Sequence, residues 1–299
     1  PTNLNTVNFS VDFSESVGTS FTAADVSVTG SLSTSSSVAV SGGPIQFTVA
    51  VTPSSPTAEG TIGISVGTGI TDLVGNTFGG GTSPQAYTVD NTAPAIGVTA
   101  KTTTDRTPSL AGTVNDNTAT ISVVVSGQTR TATNNANGTW SLADNSLTSI
   151  ADGTYNVVAT ATDPAGNVGT DGTTNELTVD GTAPTVTVNS RLTNDNTPQL
   201  TGTVSETGAT VTVVVSGQTR TATNNGNGTW TLPDGSLTAL ADGVYNVAAT
   251  ATDSVGNMGT DGTTNELTVD ATAPVLTVNT LITKDTTPAL SGTTSDLTA

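Results

Sequence analysis

The sequence predicts an all-β fold in which tandem sandwich domains follow one another as an extended rod. Similar text recurs along the chain, and the aspartates that mark it, Asp90, Asp180 and Asp270, are spaced at 90 residues. A period of this length suits one small domain with its own core, whereas solenoid repeats are only about 20–50 residues long. Abundant Thr, Ser, Gly, Asn and Val also favour short strands and turns over helices.

Composition excludes several classes of function. The chain has no Cys and no His, so disulfides, thiolate metal sites and the usual zinc or general-base chemistry are not available to it. Its formal net charge of −18 repels nucleic acid and suits hard cations. No apolar run approaches the ~20 residues of a membrane span. We therefore expect no enzyme, no nucleic-acid partner and no membrane span.

Residues 1–89 are predicted to form a divergent domain. Alternating apolar and polar residues indicate strands at 7–13, 26–28, 45–51, 61–66 and 85–89. When Glu15 is aligned with Asp116, which also follows an alternating strand, Pro1 falls level with Thr102. We therefore expect this domain to lack its first strand.

Residues 90–179 are predicted to form a complete domain. Periodicity and turn residues predict strands at 95–99, 109–114, 120–126, 129–133, 139–142, 154–162 and 175–179. Seven short strands separated by turns are typical of an immunoglobulin-like β-sandwich. The predicted fold class is therefore a tandem array of immunoglobulin-like domains.

Two repeated motifs fit this sandwich. The sequence ADGTY at 151–155, repeated as ADGVY at 241–245, places a tyrosine where such domains carry a tyrosine corner. NGTW at 137–140 and 227–230 predicts a hairpin turn, after which the Trp points into the core. The same letters form an Asn-x-Thr glycosylation sequon, but a tight turn is the favoured interpretation.

Residues 180–269 nearly copy the second domain, and residues 270–299 restart the pattern. The third domain includes VVVSGQTRTATNN at 213–225, which also occurs in the second. Such similarity indicates recent duplication of a domain. It also indicates that the number of domains matters more than the sequence of any one of them. The last segment carries VLTVN and TPALSGTTSD, so we expect it to contain the first two strands of a further domain.

Acidic and amide residues recur at one end of each predicted domain. In this topology the linker meets two loops at that end, the one between strands two and three and the one between strands six and seven. The candidate residues are Glu15, Asp72 and Asn76 for the first domain, Asp90, Asp116, Asp163 and Asn167 for the second, Asp180, Glu206, Asp253 and Asn257 for the third, and Asp270 and Asp296 for the last segment.

These clusters predict calcium binding. Carboxylates ~6 Å apart repel by about 3 kcal/mol per pair at an effective dielectric of about 20, so such a cluster calls for a counterion. Ca²⁺ suits it because Ca²⁺ takes about six to eight oxygen ligands in flexible geometry. We therefore predict one calcium ion at each junction, held by the linker and the following domain. The alternative is that these residues only form Asx-turns.

Other loop acids are kept apart from this prediction. Asp171 and Asp261 either join the calcium site or only end a long loop. Asp105 and Asp195 are expected at the opposite end of their domains. Simple turn residues are expected at Asp144, Asp152, Asp234 and Asp242.

With its TVDxTAP linkers, DxxGN loops, ADGxY corners and NGTW hairpins, the chain resembles the bacterial Ig-like repeats of giant RTX-type surface adhesins exported by type I secretion. The resemblance covers essentially all of the sequence. It implies an extracellular extender on the bacterial cell surface, with calcium stiffening its joints, which holds a distal ligand-binding domain away from the cell in adhesion and biofilm formation. The glycine-rich nonapeptide repeats of that family's secretion region do not occur in this sequence.

Three functional hypotheses follow. The leading one is a structural spacer whose partners are calcium ions and the neighbouring repeats. The second makes one domain, with the divergent first domain as the better candidate, an adhesive module for sugar, ice or a host surface. The third makes the chain a filament subunit that assembles by strand addition between copies.

Overall fold

The computed structural model describes residues 1–295 of the chain, and almost all of its regular structure is β-strand. The chain divides into two compact units, Pro1–Asp180 and Gly181–Ala299. Within the described residues, no helix has the length and apolar character needed to cross a lipid bilayer. The all-β prediction is confirmed.

The first sandwich contains a short 3-10 helix at Ala23–Asp25 and two sheets. Its strands are β1 (Val7–Asp12), β2 (Val26–Thr29), β3 (Ser36–Gly42), β4 (Gln46–Pro53), β5 (Gly60–Val66), β6 (Gly81–Thr82) and β7 (Tyr87–Val89). One sheet has the order β1-β4-β3, and the other has the order β2-β5-β6, with β7 also paired to β5. Phe9, Val49 and Ile62 belong to the core between the sheets.

The second sandwich has a large sheet and a small one. Its strands are β8 (Ile96–Val98), β9 (Lys101–Thr103), β10 (Leu110–Val114), β11 (Thr120–Val125), β12 (Gln128–Asn134), β13 (Thr139–Leu142), β14 (Gly153–Tyr155), β15 (Val157–Thr162), β16 (Val168–Thr170) and β17 (Leu177–Val179). The large sheet has the order β16-β15-β11-β12-β13-β10-β8, and the small sheet has the order β14-β17-β9.

The third sandwich repeats this topology in the second compact unit. Its strands are β18 (Val186–Val188), β19 (Arg191–Thr193), β20 (Leu200–Val204), β21 (Thr210–Val215), β22 (Gln218–Asn224), β23 (Thr229–Leu232), β24 (Gly243–Tyr245), β25 (Val247–Thr252), β26 (Met258–Thr260) and β27 (Leu267–Val269). The last segment forms a two-stranded sheet of β28 (Leu276–Val278) and β29 (Gly292–Thr294).

The hairpin tryptophans lie in the core, as the NGTW motif predicts. Trp140 and Trp230 are fully buried. Their indole N–H groups donate to the carbonyl oxygens of Gly97 (3.0 Å) and Thr187 (2.9 Å), which belong to the first strand of each sandwich. Because a buried indole N–H needs an acceptor, this bond fixes the first strand onto the sheet.

The tyrosine corner is present in both copies of the ADGxY motif. The Tyr155 hydroxyl donates to the Ala151 carbonyl oxygen at 2.8 Å, and the Tyr245 hydroxyl donates to the Ala241 carbonyl oxygen at 2.8 Å. This bond to the backbone upstream is the hallmark of the corner in immunoglobulin-like sandwiches. The sequence prediction for this motif is confirmed.

The continuous strand predicted at 154–162 is wrong. The chain forms β14 and β15 instead, with Asn156 between them. β14 pairs with β17 in the small sheet, whereas β15 pairs with β11 in the large sheet. The chain therefore changes sheets at Asn156, and a change of partner leaves no mark in the alternation of apolar residues.

Several strands were missed by the sequence analysis. They include β9, which pairs in parallel with β17, and β16, which pairs with β15. In the first sandwich they include β3 and β6. Three of these four strands have only two or three residues, too few for a period of two to become visible.

The first sandwich differs from the others at one edge. Thr2 forms a single parallel bridge with Val89, at the register where Thr103 pairs with Val179 in the second sandwich. In the second sandwich β8 pairs with β10 just before this point. Among the described residues, no strand corresponding to β8 flanks β1, which therefore forms the edge of its sheet.

Candidate functional site

The DPAGN loop of the second sandwich is organised by one buried carboxylate. Asp163 is 7% exposed. Its Oδ1 accepts hydrogen bonds from the backbone N–H groups of Ala165 (2.8 Å) and Asn167 (2.9 Å), and its Oδ2 accepts one from Asn167 Nδ2 (2.8 Å). Gly166 has a φ of 94°, which glycine adopts without steric cost. The motif therefore holds Asn167 in one position.

Asn167 joins this loop to the linker between the first two sandwiches. Its Nδ2 also donates to the Asp90 carbonyl oxygen at 2.8 Å. Asp90 follows β7, the last strand of the first sandwich, and its own N–H donates to the Thr2 carbonyl oxygen at 3.0 Å. The linker is therefore hydrogen-bonded to both sandwiches of the first compact unit.

The predicted acids of the second domain line one cavity. This cavity of about 460 Å³ lies beside the linker, and Asp90, Asp116 and Asp163 are all in its wall. The two loops and the linker therefore meet at one end of the sandwich, as the topology predicts. The neighbouring amides Asn115 and Asn117 also face this space, so the wall is rich in oxygen ligands.

The cavity wall includes one acid that the sequence analysis missed. Glu59 belongs to the first sandwich, where it directly precedes β5. The next residue, Gly60, pairs with Val89. In the second sandwich, Gly153 pairs with Val179 at the same register. Glu59 thus occupies the register place of Asp152. Because the sequence predicts only a turn residue at Asp152, alignment of the repeats does not reveal that Glu59 lies beside the linker.

The same acids also form Asx-turns, the alternative interpretation. Asp116 Oδ1 accepts hydrogen bonds from the Thr118 backbone N–H and hydroxyl, both at 2.7 Å. Asp90 Oδ1 accepts one from the Thr92 N–H at 3.2 Å. Within residues 1–295, no three carboxylates come close enough to form a metal-binding group by themselves. The acids line a shared cavity, and each is also held by its own loop.

The predicted set of the first domain also meets in space. Glu15, Asp72 and Asn76 line a cavity of about 120 Å³ at the end of this sandwich. Asp72 repeats the loop geometry, because its Oδ1 accepts from the backbone N–H groups of Val74 (2.9 Å) and Asn76 (2.8 Å) and its Oδ2 from Asn76 Nδ2 (2.7 Å).

The third sandwich repeats the loop in the second compact unit. Asp253 is 9% exposed, and it accepts hydrogen bonds from the N–H groups of Val255 (2.8 Å) and Asn257 (2.9 Å) and from Asn257 Nδ2 (2.7 Å). The carbonyl oxygen of Glu206 accepts from Asn224 Nδ2 at 2.8 Å. In the second sandwich, the carbonyl oxygen of Asp116 accepts the corresponding bond from Asn134 Nδ2 at 2.8 Å.

The other candidate acids are placed as follows. The Asp180 N–H donates to the Thr103 carbonyl oxygen at the end of the first unit, and the Asp270 N–H donates to the Thr193 carbonyl oxygen in the second unit, both at 2.9 Å. Asp296 lies outside the described residues.

Hydrogen bonding keeps the loop aspartates ionised. Burial raises the pKa of Asp163, but hydrogen bonds from Asn167 and the backbone outweigh it, so the pKa lies below its usual range. Asp253 shows the same balance. For Asp72 the Asn76 side chain is the largest cause of a lowered pKa. Ionised carboxylates at neutral pH are the form that binds a cation.

The acids set apart in the sequence analysis have other contacts. The Thr173 hydroxyl donates to Asp171 Oδ2 at 2.8 Å, and Asp105 Oδ1 accepts from the Thr107 N–H at 2.8 Å. Asp152 forms an ion pair with Arg106 at 2.9 Å.

Asp242 is more than the simple turn residue that its sequence context predicts. Its Oδ1 accepts a hydrogen bond from the Ala271 N–H at 2.7 Å, and its Oδ2 accepts one from the Thr272 hydroxyl. Both donors belong to the segment that follows the third sandwich.

Comparison with known families identifies the repeats. Residues 92–181 and 184–271, together more than half of the chain, match the family model described as bacterial Ig-like domain. The chain belongs to the bacterial Ig-like domain family. The two matched regions correspond to the second and third sandwiches, so these are tandem bacterial Ig-like domains. No curated protein gives a significant match to the chain.

Several solved structures are similar to the chain. One is a tetra-tandem repeat in the extending region of a large adhesion protein, with 27% identity, a TM-score of 0.34 and coverage of 98% of this chain and 78% of that one. Another is a Ca²⁺-stabilized adhesin that helps an Antarctic bacterium reach out and bind ice, with 25% identity, a TM-score of 0.37 and coverage of 92% and 72%. A third belongs to a 1.5-MDa bacterial ice-binding adhesin, with 19% identity, a TM-score of 0.34 and coverage of 89% and 92%.

Proposed function

We propose that the chain is an extender segment of a large RTX-type adhesin on the bacterial surface, in which calcium at the domain junctions stiffens the array. The observation that carries this proposal is the cavity beside the first linker, because residues from the linker and from both flanking domains line it. We further propose that the domains span 1–89, 90–179 and 180–269, with a further domain starting at 270.

The chemistry of the cavity wall favours calcium. Asp90, Asp116, Asp163 and Glu59 supply carboxylate oxygens, and Asn115 and Asn117 supply amide oxygens, which are the ligands that Ca²⁺ takes. The lowered pKa of Asp163 keeps that carboxylate charged. A bound cation would draw the two loops toward the linker. The repulsion between their carboxylates would then be replaced by attraction of each carboxylate to the same cation. Bending at the junction would then cost free energy.

The affinity expected for calcium makes the stability of the array depend on whether it lies inside or outside the cell. Extracellular calcium modules bind at about 10⁻⁴–10⁻³ M, so such sites fill outside a cell and empty inside it. A site filled at about ten times its dissociation constant adds about 1.4 kcal/mol to the stability of the folded state. The proposed chain would therefore be most stable after export.

Calorimetric melting and small-angle scattering test this function. With millimolar calcium we expect a higher Tm and a longer, stiffer particle than with excess chelator. Asp116→Asn combined with Asp163→Asn should remove the part of both effects that belongs to the first junction. Asp12→Asn, which removes one exposed charge from β1, is the control for a loss of charge away from the junction. Equal Tm values and equal scattering with calcium and with chelator would refute calcium stiffening.

A second candidate function is favoured by the open edge of the first domain. A cavity of about 520 Å³ runs along β1 and is lined by Phe9, Phe78 and Tyr87. We infer that this groove accepts an extended strand from a second copy of the chain. The best candidate strand is β28, because Leu276 and Val278 are 75% and 63% exposed and β28 corresponds to β8, which flanks the equivalent strand in the second domain.

The oligomeric state tests strand addition. Sedimentation over a wide range of protein concentration should show polymers that disappear when residues 271–299 are deleted. A synthetic peptide of sequence TAPVLTVN should compete with this assembly. Monomers at every concentration would refute the second function and leave the calcium proposal untouched.

A further inference from the structure

The hairpin turn of the third domain carries two Asn–Gly pairs. They are Asn225–Gly226 and Asn227–Gly228, and they lie at the tip between β22 and β23. The second domain has one such pair in the same turn, Asn137–Gly138, because Ala136 stands where the third domain has Gly226. Glycine places no Cβ next to its nitrogen, so an asparagine before glycine is open to attack by the backbone on its side-chain amide.

The side-chain amide of Asn227 is activated by its own turn. Its Oδ1 accepts hydrogen bonds from the Thr229 backbone N–H at 3.2 Å and from the Thr229 hydroxyl at 2.7 Å. When a nucleophile adds to an amide carbon, negative charge develops on this oxygen, and donors already aimed at the oxygen stabilise that charge. Asn137 Oδ1 accepts the same two bonds from Thr139, at 3.2 Å and 2.6 Å. The two asparagine amides are therefore equally activated.

The two turns differ at the backbone nitrogen that would attack. The Gly138 N–H donates to Asn117 Oδ1 at 3.3 Å, so this nitrogen must first leave a hydrogen bond. In the third domain Thr207 occupies the place of Asn117, and within residues 1–295 the Gly228 N–H donates to no acceptor. A Cβ atom added to Gly228 would meet no atom within 4 Å. The nucleophile of the third domain is therefore unengaged and lies in open space.

The neighbouring Asn–Gly pair of the same turn is held in place. The Gly226 N–H donates to Asn224 Oδ1 at 3.1 Å. Asn225 Nδ2 donates to Thr229 Oγ1 at 2.8 Å and to Thr231 Oγ1 at 3.1 Å. The attacking nitrogen and the nitrogen that would leave are thus both hydrogen-bonded, unlike the attacking nitrogen of the next pair.

We propose that Asn227 is a site of spontaneous modification, at which the turn converts the asparagine into aspartate or isoaspartate. The Gly228 nitrogen loses its proton to solvent base and forms a bond with Asn227 Cγ. The bond from Cγ to Nδ2 then breaks, and Nδ2 takes up a proton and departs as ammonia, which leaves a cyclic succinimide. Water opens this ring at either carbonyl carbon, and the product carries a carboxylate. The reaction consumes only water, changes no oxidation state and does not depend on the proposed function.

The modification would change both charge and shape at one end of the third domain. Asn224, in the same turn, donates its Nδ2 to the carbonyl oxygens of Glu206 (2.8 Å) and Ala209 (2.9 Å), so the new carboxylate lies beside the loop that carries Glu206. The Val204 N–H donates to the Gly228 carbonyl oxygen at 3.0 Å. An isoaspartate lengthens the backbone by one carbon atom just before this bond, so we expect it to loosen the turn and destabilise the third domain.

Ageing of the full chain at mildly alkaline pH in chelator tests the proposal. Peptide mapping by mass spectrometry, with isoaspartate separated from aspartate, follows the loss of each amide. Asn227 should react about fivefold faster than Asn137, the factor expected from one hydrogen bond that must break first, and it should also react faster than Asn225. In the chain unfolded by urea, Asn137 and Asn227 should react at nearly equal rates, because Gly-Thr-Trp follows both of them.

Exchange of the two residues that differ provides a reciprocal test. Thr207→Asn supplies the acceptor that Gly138 has, and it should slow the reaction of Asn227 to the rate of Asn137. Asn117→Thr removes that acceptor and should accelerate Asn137 to the rate of Asn227. Positions 117 and 207 are both exposed, so neither exchange removes a core contact. Equal rates at Asn137 and Asn227 in the folded chain, or rates that neither exchange alters, would overturn the proposal.

Discussion

One amide group holds the DPAGN loop and the linker together. Asn167 Nδ2 donates both to Asp163 Oδ2 and to the Asp90 carbonyl oxygen, at 2.8 Å each. An aspartate at position 167 would offer no donor, and a glutamine would displace the amide by one methylene. The spacing of the DxxGN motif thus has a geometric reason, because a carboxylate and an amide four residues apart close the loop on each other.

The tyrosine corner provides a prediction at the scale of one atom. Tyr155→Phe removes the hydroxyl that donates to Ala151 and leaves the ring in place. We expect the free energy of unfolding of the second domain to fall by about 1 kcal/mol, the usual value of such a hydrogen bond. Urea denaturation followed by circular dichroism measures this change in both variants, because tryptophan occurs only in the second and third domains. Tyr87→Phe is the control, because the Tyr87 ring instead packs edge-on against Phe9. Equal losses in the two variants would contradict a special role for the corner.

The lowered pKa values of the loop aspartates predict loss of stability in acid. The pKa values of Asp72, Asp163 and Asp253 lie below the usual range, so the folded state binds these protons less tightly than the unfolded state does. Their stabilising contribution is complete above pH ~4 and is lost as the pH falls through the folded-state pKa values. Melting in chelator between pH 6 and pH 2.5 should show Tm falling below pH ~4.

The corresponding asparagine variant separates this effect from general acid denaturation. Asp72→Asn, Asp163→Asn and Asp253→Asn together remove the three titrating groups while keeping similar side-chain size. The combined variant should start from a lower Tm at pH 6 and lose less of it on acidification. If its Tm falls as steeply as that of the unmodified chain, the loop aspartates do not carry the acid sensitivity.

At the scale of strands, the first strands of the second and third domains are held by close backbone approach. A Cβ atom added to Gly112 would lie 1.9 Å from the Gly97 carbonyl oxygen and 2.5 Å from Trp140 Nε1. Gly112 is therefore required by space, since β8, β10 and the buried indole meet at this point. The hydrogen bond from the Trp140 indole to Gly97 depends on the same closeness.

Gly112→Ala should therefore destabilise the second domain strongly. We expect a loss of about 3 kcal/mol in the free energy of unfolding, because neither the backbone nor the indole can move without breaking strand pairing. Gly172→Ala is the matched control, since no atom lies within 4 Å of its added Cβ, and it should be nearly neutral. Urea denaturation checks both values. A Gly112→Ala chain as stable as the control would contradict the packing described here.

At the scale of the whole molecule, each sandwich has a hydrophobic core of its own. The buried clusters run from Val7 to Val89, from Leu110 to Val179 and from Val186 to Val269. Among the described residues of the first compact unit, no buried cluster mixes residues of its two sandwiches. Separate cores let each domain unfold without exposing the core of its neighbour.

Pulling on single chains tests this independence. A domain of about 90 residues, extended at about 3.5 Å per residue, adds about 300 Å of contour length, less the length of the folded domain. We expect one such step per domain in force spectroscopy. Trp230→Ala, which costs about 3–5 kcal/mol in a buried site, should weaken the step of the third domain and leave that of the second unchanged. A single step of several times this length would contradict separate domains.

Much of the candidate site was predictable because the repeats reveal their own alignment. Asp116, Glu206 and Asp296 share one register place in the sequence, and sandwich topology alone brings such a loop toward the linker. Asp90, Asp116 and Asp163 were predicted in this way and do line one cavity. Glu59 was missed, because it reaches the cavity from the preceding domain and shares no motif with the others.

The sequence by itself determined the all-β class, the 90-residue period, the tryptophan hairpins and the tyrosine corners. These features depend on residues close together in the chain, through alternation, turn chemistry and repetition. Tertiary structure alone decided the change of sheets at Asn156, the burial of Glu176 and the arrival of Glu59 at the first junction. Each of these features depends on which segment, distant in the sequence, packs against the residue concerned. The local pattern of apolar and polar residues does not specify that segment.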